Sequence, residues 1–156
     1  MMELTYYKKW FIREKKAINE LSYEEAKEKH LKKEPYTVLV KDDNIIKYII
    51  DIASRFILVN FMNDRLCPYL IYEFHVKEND KIFLKMASYY EYNEDEERTE
   101  SILFNFSENG KIAMERRNLT NQEMEERDLD YSVDCNWDEF PDFGNYERLL
   151  NEERYS

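Results

Sequence analysis

The chain has 156 residues, of which 43% are hydrophobic, 15% aromatic and 37% charged, with a net charge of −11 at neutral pH. That length and apolar content support one globular domain spanning 1–156 and exclude a disordered chain. Two glycines and three prolines exclude a glycine loop for phosphates or a collagen-like repeat, and no apolar run approaches the about 18 residues of a spanning helix.

The charge is uneven. Residues 1–36 carry +2 and residues 123–156 carry −9. An acidic end repels phosphate backbones, so direct nucleic-acid binding is disfavoured and a basic protein partner is favoured. Cys67 and Cys135 lie far apart, and His30 and His75 do not cluster with them, so no zinc spacing is present. We expect reduced thiols, no cofactor, no bound metal and a cytoplasmic location. The first ten residues lack the apolar core of a signal peptide.

In chain order, Leu4 to Arg13 has strand composition, and Glu14-Lys15-Lys16 reads as a turn into a short return strand over Ala17-Ile18-Asn19. Ser22 followed by Glu25 forms a capping-box signature, with lysines in the last turn and Pro35 beyond, which predicts a short N-terminal surface helix from Tyr23. Tyr36–Val40 reads as a strand. The run Ile45–Ile52 has nearly helical spacing, but its β-branched residues favour a strand. From Phe56 to Tyr92, three aromatic and β-branched runs are separated by Asn63-Asp64-Arg65-Leu66-Cys67-Pro68 and Glu78-Asn79-Asp80. Connections this short make the strands antiparallel neighbours.

Acidic residues 93–97 read as a loop. Thr99–Ser107 and Lys111–Arg116 flank Asn109-Gly110, a strong hairpin signal because both residues accept positive φ. The charged stretch between Asn118 and Val133 reads as an edge strand. Trp137, Phe140 and Phe143 are apolar anchors in a loop, and a helix from about Asn145 should pack Tyr146, Leu149 and Leu150 on the sheet. The expected fold is α+β: a mainly antiparallel β-meander with a short N-terminal helix and a C-terminal helix packed against it.

No catalytic set stands out. Glu73, Glu91 and His75 are the best-placed titratable groups, and Glu73 with His75 shares one strand face, as half a metal site or an acid–base pair would. Alternation turns them toward water, and no nucleophile in a glycine turn accompanies them. Glu123, Glu125, Glu126, Asp128, Asp130 and Asp134 lack the glycine and offsets of a calcium loop. Read with their aromatic neighbours, Glu125, Glu126, Asp128, Asp130, Tyr131, Asp134, Asp138, Glu139 and Asp142, beside Trp137, instead form a candidate partner-binding surface. Carboxylates would steer a basic protein and rings would supply buried contacts.

The opening Tyr6-Tyr7-Lys8-Lys9-Trp10, the central Pro68-Tyr69-Leu70-x-Tyr72-x-Phe74 and the close Asn136-Trp137-x-x-x-Pro141-x-Phe143-Gly144 give the chain a layout that resembles bacterial immunity proteins. These neutralise polymorphic and contact-dependent toxins. The resemblance implies a cytosolic, non-enzymatic protein that blocks a cognate toxin by stoichiometric binding, and it carries over no site residues. Two alternatives are a phage-type nucleic-acid mimic directed at a host DNA-binding or defence protein, and a small-molecule-binding or enzymatic sheet protein with a site near Glu73 and His75.

Overall fold

Short polar turns force successive strands to run antiparallel, and this chain follows that constraint almost throughout. A computed structural model describes residues 2–154; Met1, Tyr155 and Ser156 lie outside the described residues. The strands are β1 (Met2–Phe11), β2 (Lys16–Leu21), β3 (Tyr36–Asp42), β4 (Ile45–Ile52), β5 (Phe56–Met62), β6 (Pro68–Val76), β7 (Lys81–Tyr92), β8 (Arg98–Phe106), β9 (Lys111–Asn118), β10 (Met124–Asp130) and β11 (Trp137–Glu139). They form one antiparallel open sheet in the order β10-β9-β8-β7-β6-β5-β4-β3-β1-β2, with β11 added to β7. The run Ile45–Ile52 is a strand because it is buried on both sides: Ile49 and Ile50 are each 1% exposed or less.

One face of the sheet is covered. Val38, Ile50, Val59, Tyr72, Ala87 and Phe104 lie opposite one another in register across β3 to β8, and the first five are buried. Over this row fold Val133, Phe140, Phe143, Tyr146 and Leu149 from the C-terminal segment. Several buried polar groups there are paired with one another, as burial favours. Tyr36 and Tyr146 share a hydrogen bond between hydroxyls at 2.9 Å, and His30 Nδ1 lies 2.7 Å from the Tyr36 hydroxyl. Asn136 Nδ2 donates to the Leu84 carbonyl at 2.8 Å. Burial pushes the Tyr36 and Tyr146 hydroxyl pKa values up and the His30 pKa down.

The N-terminal helix, α1 (Tyr23–Leu31), forms with its complete capping box: Ser22 Oγ accepts from the Glu25 amide and Glu25 Oε1 accepts from the Ser22 amide. Ala26 is its buried residue. The expected C-terminal helix is absent among the described residues. Glu147–Leu150 makes a single 3₁₀ turn, and the fold is mainly β rather than α+β. Gly144 at φ +84 precedes this turn and Asn151 is extended after it, which leaves too few residues for an independent helix. One turn suffices to bury Tyr146 and Leu149. Trp137 lies in β11 rather than in a loop, with its ring 4.8 Å from that of Phe83.

Strand β7 forks. Its first residues, Lys81–Phe83, pair with β11, while Met86–Tyr92 pair with β8. The register shifts opposite Glu73 and Phe74, where Lys85 is the extra residue, and Lys85 Nζ donates to the Phe106 carbonyl at 2.8 Å. Strands β8 to β10 therefore form a wing attached through the second half of β7.

The hairpin at Asn109-Gly110 forms, but only Gly110 takes positive φ, at +90°; consecutive left-handed residues occur instead at Asp43-Asn44, between β3 and β4, and at Asn79-Asp80, before β7. Gly110 has a second role. Its carbonyl accepts from the Tyr131 amide at 2.9 Å, and a Cβ on it would meet the Tyr131 carbonyl oxygen at 2.9 Å. Gly110→Ala should therefore cost about 1–3 kcal/mol through backbone strain and this clash. Denaturant unfolding would measure it, and equal midpoints for variant and wild type would contradict this account.

Candidate functional site

The acidic residues picked out by sequence divide into free and engaged groups. On β10, alternation places Glu126, Asp128 and Asp130 on the uncovered face of the wing. Glu126 lies opposite Glu115, Asp128 opposite Ala113 and Asp130 opposite Lys111. All three are exposed, and none has an ion-pair partner among the described residues. Glu125 faces the other way, with its carboxylate 2.6 Å from Arg127 Nε. Tyr131 is 68% exposed, and Asp134 and Asp142 are exposed in their loops.

Asp138 and Glu139 belong to a different setting. The Asp138 side chain is 7% exposed and lies between Arg148 at 2.6 Å and Arg154 at 3.0 Å. That pairing clamps β11 to the chain's last described turn and keeps the Asp138 charge inside the molecule. Glu139 is joined to Lys81 on the neighbouring strand. The structure thus gathers Glu126, Asp128 and Asp130 on one strand face, and separates from them the carboxylates of residues 138–142.

Glu73 and His75 do pair, Glu73 Oε2 lying 2.8 Å from His75 Nε2, with side chains 34% and 39% exposed. They stand on the open face, where water screens them. Among the described residues, no three His, Cys, Asp or Glu side chains are placed to hold a metal. Glu91 is exposed opposite Glu100.

A cavity of about 400 Å³ lies on the same face, beside that pair. Its floor follows from register. Tyr7, Thr37, Asp51, Leu58 and Glu73 form one cross-strand row, and Leu39, Ile49, Asn60 and Ile71 form the next. Ile49, Asp51, Leu58, Asn60 and Ile71 line the cavity, whereas Glu73 and His75 do not. The far end of the β1–β2 hairpin closes over it. Trp10 and Ala17 pack on Leu39, Ile49 and Met62, and Lys15 Nζ donates to the Arg65 carbonyl and to Glu96 Oε1, each at 2.6 Å.

Asp51 is the residue that sequence reasoning missed. Its Oδ1 accepts from the Thr37 hydroxyl at 2.6 Å, and Thr37 is itself 2% exposed. Burial pushes the Asp51 pKa up, and the Thr37 hydrogen bond partly opposes that shift. No ion-pair partner serves it among the described residues. Of the two cations lining the cavity, Lys15 is bound to Glu96, and Arg98 lies over the Tyr90 ring with its guanidinium carbon 3.8 Å from the centroid. The signal was available: Asp51 is an acid between Ile50 and Ile52, in a strand whose one other charged residue is Lys47.

No family model, no curated protein and no solved structure matches this chain.

A carboxylate held against its own desolvation weakens the fold at neutral pH. Its raised folded-state pKa makes its contribution most favourable below the ordinary value of about 3.9 and progressively lost as pH rises through the folded value. Asp51→Asn should therefore melt above wild type at pH 7, with the gap narrowing as pH falls toward 4. Thermal unfolding across that range checks the sign, and a variant that melts lower at pH 7 would refute it.

Proposed function

We propose that this chain is a non-enzymatic binding protein whose acidic wing covers a basic surface on a protein partner. The observation that carries the reading is the exposed face of β10, where Glu126, Asp128 and Asp130 have no ion-pair partner among the described residues. Exposed Met124 shares that face, at 55%, while exposed Leu129 and Tyr131, at 43% and 68%, lie on the other side of the strand and just past its end. Unpaired carboxylates raise the encounter rate with a cationic partner, and adjacent apolar groups supply the desolvated contacts that hold it. The layout resembling immunity proteins suggests the partner class, a cognate bacterial toxin neutralised by stoichiometric binding in the cytoplasm. A second reading, a small-molecule-binding sheet protein, is favoured by the open-face cavity.

Mixing the purified chain with the toxin encoded beside its gene should give a one-to-one complex at micromolar concentration. The double variant Glu126→Lys, Asp128→Lys should bind at least about tenfold more weakly, and added salt should weaken wild-type binding in the same direction. Calorimetric titration reads all three. No complex at micromolar concentration, or a double variant that binds as wild type does, would overturn the assignment.

A further inference from the structure

The open-face cavity is independent of the acidic wing, and its chemistry points to a ligand class. About 400 Å³ exceeds the volume of one inserted side chain and falls within the range of small-molecule sites. Ile49, Leu58, Ile71 and Met62 give it apolar surface, and Trp10 places an indole on its wall. Its floor carries free acceptors. A carboxylate has about four acceptor positions, and Thr37 is the hydrogen-bond donor to that of Asp51 among the described residues. Asn60 uses its Nδ2 to donate to the Ile49 carbonyl at 3.0 Å, which leaves its side-chain oxygen to accept. Of the two cations of the lining, Lys15 is neutralised by Glu96 and Arg98 stacks on the Tyr90 ring; neither is ion-paired with Asp51.

A cavity with apolar walls, an aromatic face and an uncompensated carboxylate at its floor is complementary to one kind of molecule. We propose that this cavity is a binding site for a small organic monocation, an amidine, guanidine or amine on an apolar body, with its charge against Asp51. Such a ligand supplies the missing counter-charge, donates to the free acceptors of Asp51 and Asn60, and lays its apolar part on Ile49, Leu58 and Ile71. The indole of Trp10 adds an attraction that a neutral ligand does not receive.

Benzamidine is the probe, with benzamide as its uncharged counterpart of nearly the same shape and butylguanidine as an aliphatic guanidine. Titration followed by amide chemical shifts should show benzamidine saturating with a Kd of about 1 mM or tighter, perturbing β4, β5 and the tip of the β1–β2 hairpin. Benzamide should bind at least about tenfold more weakly to the same wild-type protein. Asp51→Asn, whose melting curve reports that it is folded, should lose benzamidine to a similar extent. Equal affinity for benzamidine and benzamide, or no saturation by about 10 mM, would overturn the proposal without reference to any variant. Full benzamidine affinity in Asp51→Asn, or binding by an arginine-containing peptide with none by the free cations, would overturn it as well. None of these outcomes depends on the acidic wing, whose own test is complex formation with a toxin.

Discussion

The covering of one sheet face by residues 133–150 is the contact on which the rest of the molecule depends. A sheet with apolar residues on both sides must bury at least one of them, and here the helix α1 contributes one end of the cover, through Ala26, Tyr23 and His30. The rest falls to a largely irregular segment, whose one backbone ladder is the three-residue pairing of β11 with β7. Side-chain polar bonds add to that anchor. The Tyr36–Tyr146 hydroxyl pair, Asn136 bound to the Leu84 carbonyl, and Asp138 between Arg148 and Arg154 each tie the segment at one point. Buried and paired polar groups of this sort specify a single arrangement where apolar packing alone would allow several.

With that face closed, whatever the protein meets must approach the other face or the sheet edge. The fork in β7 divides these surfaces. On the body side, the β1–β2 hairpin roofs a cavity around Asp51; on the wing side, β10 presents carboxylates to water. The two differ in electrostatic character. Charges on β10 are hydrated and act at a distance set by ionic strength. The charge on Asp51 is partly stripped of water and acts only on what enters the cavity.

Most of the strand pattern was legible because it depends on local chemistry: alternation, β-branched runs and polar turns. Ser22 and Glu25 announced the start of α1 without any tertiary information. The terminal helix was misjudged because Tyr146, Leu149 and Leu150 have the spacing of a helix face, which one 3₁₀ turn satisfies equally well. Asp138 read as a surface charge because the arginines that enclose it lie ten and sixteen residues further on. The cavity was illegible for a related reason. Its roof and floor meet only because the hairpin at residues 10–17 crosses over β4 and β5, and contacts so distant in sequence leave no periodic trace. What was visible, an acid within Ile45–Ile52, needed the roof to acquire meaning.

The strand order has a kinetic corollary. Nearly every ladder joins neighbours along the chain, so most loop closures are short and cost little entropy. Two pairings are exceptions: β1 with β3, which spans α1, and β11 with β7, which joins residues 137–139 to 81–83. Hairpins can zip outward from β5 and β6 in either direction, but β11 can dock only after the wing has been traversed. The segment that completes the hydrophobic interior is thus delivered by the longest closure among the sheet's ladders.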